Sequence, residues 1–171
     1  MFLDLGFTEL GKDIYLYKKF VSNEECKQIV KIVDSMKKDE FNWLDSETCV
    51  TKQIPEIDSI KKRFINILDN KLKIGDNSNI VIMSKGSSLG THSDDHDFKY
   101  SSENIIYGMV IYFNEFDGGE IYYPTQNIEY KPQPGDLIIH SAKSHCLHGV
   151  KEVKNNARYC HSNHIYEIKD I

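Results

Sequence analysis

Residues 105–139 read IIYGMVIYFNEFDGGEIYYPTQNIEYKPQPGDLII, and the fold turns on how this stretch is parsed. It contains four short apolar runs, 105–113, 121–123, 128–130 and 137–139, rich in β-branched and aromatic residues. Asp117, Gly118 and Gly119, then Pro134, Gly135 and Asp136, separate them with residues that favour turns. Short strands spaced in this way predict a sandwich or barrel. Residues 80–83 and 159–166 read as two more strands, and 14–20 as another that completes a sheet from the N-terminal side.

Upstream the period changes. Ser22, Asn23, Glu24 and Glu25 have the spacing of a capping box, and Cys26, Ile29, Val30, Val33 and Met36 follow at helical intervals. Pro55 suits a first helical turn; Ile57, Ile60, Phe64, Ile67 and Leu68 make a second stripe, predicting a helix that ends near Gly75. The expected architecture is α+β but mainly β: a double-sheet jelly roll supported by N-terminal helices. One domain is expected over 1–171, with helical support in 1–79 and the jelly-roll core in 80–171.

Hydrophobic residues make up 40% of the 171 and charged residues 27%, the balance of a globular chain rather than a disordered one. No apolar run approaches membrane-spanning length, and the acidic start MFLDLGFTELGKD lacks the basic region of a secretory signal, so a cytoplasmic location is expected. Cys26, Cys49, Cys146 and Cys160 are scattered without a CxxC pair and are expected to be reduced. A net charge of −5 offers no bulk attraction to phosphate backbones, which argues against a nucleic-acid partner.

All seven histidines fall after Thr91. In extended backbone, residues i and i+2 share a face, so His92 and Asp94 can present an imidazole and a carboxylate to one ion while Ser93 points away. Two histidines and a carboxylate on one face of Fe(II) leave the opposite positions open, as oxygenase chemistry needs. His140, His145, His148, His161 and His164 all compete to be the third ligand. Context favours His148, because Arg158 follows ten positions later and an arginine near the metal suits an acidic co-substrate.

In order, Gly86, Leu89, Gly90, His92, Asp94, then 110–114, then Gly118, Gly119 and Glu120, then Pro134, Gly135, Asp136, His148, Val150, Val153, Arg158 and Tyr159 give the chain a recognisable pattern. From 80 to 166 it resembles the 2-oxoglutarate- and Fe(II)-dependent dioxygenases, most closely their prolyl 4-hydroxylase-like branch. The resemblance implies that His92, Asp94 and His148 ligate iron and that Arg158 pairs with the distal carboxylate of 2-oxoglutarate. It implies oxidative decarboxylation to succinate and CO₂ coupled to hydroxylation, with ascorbate as a secondary requirement. Prolyl residues in a peptide or protein are the implied substrate, and a small molecule is the alternative.

The pattern also has departures. Ser84 stands where many relatives carry a tyrosine that helps bind 2-oxoglutarate; Tyr107, Tyr112 and Tyr123 are the candidates to supply that hydroxyl from a neighbouring strand, the competing reading of each being an aromatic core or cross-strand residue. Residues 161–164 stand where relatives often have a tryptophan after the arginine, and this polar stretch is expected to face solvent. Nucleic-acid demethylases of the superfamily resemble a pattern with a second arginine six residues after the first, where this chain has His164. Trp43 is expected in the core, or else at the substrate entrance; segments 40–54 and 95–104 are expected to govern substrate choice.

Two other readings compete. A cupin-like metal-binding module without oxygenase activity shares the jelly roll, and Pro132 to His140 loosely resembles the second cupin motif, but such a module has no particular need of Arg158. A structural zinc site from Cys146, His148, Cys160 and His161 matches no usual zinc spacing.

Overall fold

The computed structural model describes residues 1–95 and 104–168. The N-terminal part runs β1 (Thr8–Gly11), β2 (Ile14–Tyr17), α1 (Asn23–Ser35), β3 (Phe41–Trp43), β4 (Thr48–Thr51), α2 (Pro55–Ile65) and β5 (Leu72–Ile74). There follow β6 (Val81–Met83), β7 (Leu89–His92), β8 (Asn104–Tyr112), β9 (Asp117–Gly118), β10 (Ile121–Tyr123) and β11 (Ile128–Tyr130). The last elements are β12 (Leu137–Ser141), β13 (His148–Val150), β14 (Val153–Asn155) and β15 (Arg158–Glu167).

The strands form a large sheet in the order β1-β2-β12-β8-β15-β6-β4-β3, with β5 also on β15, and a small sheet β11-β10-β13-β7. This is the double-stranded β-helix expected from the sequence, with short N-terminal helices on one flank.

Period-2 alternation divides the core between two faces of the large sheet. Met109 and Ile111 of β8, and Leu137 and Ile139 of β12, pack in the same cluster as Ile29, Ile57 and Phe64 of the helices. Val110 and Tyr112, with Ile138, point the other way and meet Ile121 and Tyr123 of the small sheet. The functional cavity lies in this second layer, between the sheets.

Helix α1 begins as its sequence demands: Ser22 Oγ accepts from Glu25 N at 3.3 Å, and Glu25 Oε2 accepts from Ser22 N at 2.9 Å. Such a cap contributes about 1 kcal/mol. Its stripe Cys26, Ile29 and Val33 is buried. Helix α2 starts at Pro55 but stops at Ile65, well short of Gly75. The continuation of its apolar pattern is drawn into the sheet instead, where Leu72, Lys73 and Ile74 pair with Glu167, Tyr166 and Ile165. Tertiary pairing here overrides local helical preference.

Residues 1–79 therefore contribute five strands to the large sheet as well as two helices. Segment 40–54, expected to govern substrate choice, holds the β3–β4 hairpin, and β4 pairs with β6 through Thr48 and Met83. Trp43 is 60% exposed on that hairpin rather than in the core. Segment 95–104 lies outside the described residues except for its two ends.

Candidate metal centre

His92 closes β7 and His148 opens β13, and the two are direct cross-strand partners, so pairing in the small sheet carries both imidazoles to one place. Asp94, two residues beyond His92, joins them. The ligand atoms of His92, Asp94 and His148 all lie within 4.8 Å of one another, the only such His/Cys/Asp/Glu group among the described residues. Asp94 Oδ1 is 3.8 Å from Nε2 of both histidines.

The backbone sets the histidine tautomers. His92 Nδ1 lies 3.0 Å from the Gly90 carbonyl and His148 Nδ1 3.1 Å from that of Cys146. Each carbonyl can only accept, so the proton sits on Nδ1 and the Nε2 lone pair faces the cluster, the arrangement a metal ligand needs. Burial, reinforced by the neighbouring His140, pulls the His148 imidazole down to about 3, so it is neutral and ready to ligate at pH 7. Burial alone would raise the Asp94 carboxyl, but hydrogen bonds from His140 and His164 lead the opposing influences of the surrounding imidazoles and hold the group well below its usual range.

The triad lines a cavity of about 190 Å³ together with Arg158, Met83 and Cys160, the two histidines coming from the small sheet and these last three from the large one. Arg158 is 3% exposed. Its Nη1 is 3.2 Å from Met83 Sδ and 3.2 Å from Cys160 Sγ, its Nη2 is 3.4 Å from Tyr112 Oη, and its guanidinium stacks 5.0 Å from the Tyr112 ring. Nε has no partner, and no carboxylate pairs with this arginine among the described residues. Two weak sulfur acceptors and a phenol leave a buried cation undersatisfied. Gly119, at φ +63°, makes the niche possible: a Cβ there would press on the Phe116 ring at 3.0 Å and on Arg158 Cδ at 3.3 Å.

These features fit the groups that the sequence implies. Two imidazoles and one carboxylate suit Fe(II), and a buried guanidinium without a carboxylate partner in the same small cavity suits the far end of a dicarboxylate. About 190 Å³ is less than the roughly 300–1,000 Å³ of a drug-sized ligand site, so a small co-substrate fits inside and a larger substrate must sit at the mouth.

Of the tyrosines, Tyr112 stands behind Arg158 and reaches the cavity through it. Tyr107 is corrected: as an odd-numbered residue of β8 it points to the opposite face, where its ring packs 5.1 Å from Phe2. Tyr123 hydrogen-bonds His140. The polar stretch after Arg158 is not solvent-facing either. Ser162 lines the cavity, and His164 Nε2 comes within 3.8 Å of Asp94 Oδ1. His161 and Asn163, on the other face of β15, are buried against Asn79, Gly75 and Asn77. His145 pairs with Asp13 at 2.8 Å. All four cysteines are buried and free, with Cys146 in the inter-sheet core and Cys160 beside Arg158 rather than in a zinc site. The shell of Met83, Cys160 and Phe116 around Arg158 escaped sequence reasoning, although alternation along β15 does place Cys160 on the face of Arg158.

A large and a small antiparallel sheet closing over a two-histidine, one-carboxylate triad define a non-haem iron oxygenase of the double-stranded β-helix class. Residues 78–166 match the model of the 2OG-Fe(II) oxygenase superfamily, and the chain belongs to that superfamily, with the fold of its prolyl-hydroxylase-like branch. No curated protein sequence matches it. The viral collagen prolyl hydroxylase of Paramecium Bursaria Chlorella virus-1, in complex with 2OG, superposes with a TM-score of 0.73 at 20% identity, covering 93% of this chain and 98% of that one. A Pseudomonas putida prolyl-4-hydroxylase gives 0.68 at 13% identity, covering 92% and 94%. HygX from Streptomyces hygroscopicus, bound to nickel, 2-oxoglutarate and hygromycin B, gives 0.62 at 10% identity, covering 91% and 82%. No helix among the described residues is long and apolar enough to cross a membrane.

Proposed function

We propose that this chain hydroxylates prolyl residues within a peptide or protein, with Fe(II) held by His92, Asp94 and His148 and 2-oxoglutarate anchored by Arg158. The observation that carries the chemistry is the undersatisfied Arg158 lining the same small cavity as the triad. A cupin-like module would gain nothing from burying that charge, since an isolated buried cation costs several kcal/mol.

When bound, iron and 2-oxoglutarate would let O₂ act as the oxidant, one of its oxygen atoms entering succinate as 2-oxoglutarate loses CO₂ and the other entering a C–H bond of the substrate. The protein's part is to position and to exclude. His92 and His148 present lone pairs that their backbone hydrogen bonds have already aimed, so no reorientation accompanies binding. Arg158 offers a planar fork for bidentate capture of a carboxylate, and Tyr112 Oη, kept protonated because burial pushes it up to about 12, supports the guanidinium from behind. Met83, Val81, Val150 and Ile121 line the cavity with apolar groups that keep water from the reacting centre.

The peptide substrate is supported by the two prolyl hydroxylases whose folds this chain shares at low identity, and fold alone does not determine substrate. A small-molecule substrate is the second reading, favoured by the likeness to HygX with its bound hygromycin B. Free, buried cysteines support a reducing, cytoplasmic setting, and ascorbate is proposed as an activator on the strength of the family resemblance alone. The test is incubation with proline-rich peptides, Fe(II), 2-oxoglutarate and O₂, with and without ascorbate, followed by mass spectrometry. A 16 Da gain on proline with matching succinate is expected; succinate stimulated only by a small molecule would replace the peptide reading and keep the chemistry.

A further inference from the structure

Asp94 has two carboxylate oxygens, and the structure treats them differently. Oδ1 faces the Nε2 atoms of His92 and His148, while Oδ2 turns away and lies 3.2 Å from Nε2 of His140. On its other side His140 Nδ1 lies 3.0 Å from Tyr123 Oη. Tyr123 and His140 are 0% and 1% exposed, and Asp94 is 7% exposed. Three polar side chains from β10, β12 and the end of β7 thus form a line through the inter-sheet core, where apolar residues would pack at less cost.

We propose that Tyr123 and His140 are positioning residues that tie up Asp94 Oδ2 and so make Asp94 a one-oxygen ligand of the metal. The proton count decides the direction of the chain. An ionised carboxylate can only accept, so His140 Nε2 must carry a proton and donate it to Oδ2. In the tautomer that carries its proton on Nε2, the lone pair sits on Nδ1 and the Tyr123 hydroxyl donates to it. The reverse tautomer would set the Nε2 lone pair against those of the carboxylate. His140 is for the same reason not itself a metal ligand: its inward nitrogen is a donor already committed to Oδ2.

The backbone has been cleared for this contact. A Cβ on Gly108, the residue of β8 beneath it, would overlap Asp94 Oδ2 and come within 2.5 Å of His140 Nε2. The consequence is one of coordination number. Two imidazoles and a single oxygen would occupy three positions of a six-coordinate ion and would leave three, enough for a chelating co-substrate and one further ligand. A carboxylate gripping through both oxygens would close one of them.

The inference rests on the metal assignment above, and the experiment separates the two. Co(II), whose visible absorption reports coordination number, is titrated anaerobically into the wild type, His140→Leu, His140→Gln and Tyr123→Phe, each checked for folding by circular dichroism. Expected are Co(II) binding about 10- to 100-fold weaker with an altered band shape in His140→Leu, and a smaller loss in Tyr123→Phe. His140→Gln, whose amide can still donate to Oδ2, should recover most of the affinity and the wild-type band. A folded His140→Leu with wild-type affinity and spectrum would overturn the relay, as would a His140→Gln no better than His140→Leu. Should His140→Leu fail to fold, Tyr123→Phe, which removes one oxygen and keeps the ring, decides by the same two readouts. A wild type that takes up no Co(II) would overturn the metal assignment itself, and the relay with it.

Discussion

Replacing Arg158 by methionine should make the protein more stable and deprive it of 2-oxoglutarate at the same time. The guanidinium is 3% exposed, its Nε has no partner, and its other nitrogens reach two sulfurs and a phenol. Exchanging buried ionic groups for apolar ones of similar volume is often neutral or stabilising by about 1–4 kcal/mol, and methionine is flexible enough to fill the vacated niche beside Met83. A gain of roughly 1–3 kcal/mol is therefore expected for the metal-free protein, read as a higher urea midpoint at unchanged slope. Truncating one partner of a buried, hydrogen-bonded charge pair costs about 2–5 kcal/mol, so 2-oxoglutarate affinity should fall by about 30-fold to several thousand-fold. The assay is calorimetric titration of 2-oxoglutarate into anaerobic, Mn(II)-substituted protein, with Mn(II) affinity measured alongside as the internal control. Mn(II) should bind as in the wild type, because Arg158 belongs to the large sheet and the two ligating histidines to the small one. Unchanged 2-oxoglutarate affinity in folded Arg158→Met would refute the anchoring argument, and a variant clearly less stable than the wild type would show that the arginine is chiefly structural.

Three further outcomes are expected. Gly108→Ala drives a methyl into Asp94 Oδ2 and His140 Nε2, so a folded variant should lose metal affinity by at least about tenfold, measured by competition with a chelator dye. His148→Ala should abolish Fe(II) binding while His145→Ala, whose imidazole pairs with Asp13, should leave it intact; the opposite result in the same titration would reassign the third ligand. Burial holds the His161 imidazole down to about 4 against its ordinary 6.5, so the unfolded chain takes up this proton first as pH falls. The stabilisation is complete above about pH 6.5 and is lost between there and pH 4, at most about 3 kcal/mol. Denaturant unfolding of the wild type and His161→Gln over that range should show a shallower acid loss in the variant, and parallel curves would count against it.

The sequence by itself determined the local and periodic features. Ser22 and Glu25 cap α1, Pro55 starts α2, alternation marks β8, β12 and β15, and the HxD spacing puts two ligands on one face. Each depends on neighbours within a few residues, where spacing and propensity carry the information. Tertiary structure decided what depends on partners far along the chain. Residues 72–74 became strand because β15 offered them an edge, and residues 41–51 became a hairpin because β6 did. Among five competing histidines, His148 faces His92 because β13 pairs with β7 in register, a fact absent from spacing alone. The roles of Tyr123, His140 and Gly108 likewise arise only when β10, β12 and β8 bring their inward faces around Asp94. Sequence can say which face of a strand a side chain takes; only the packing of one sheet on another says what that face meets.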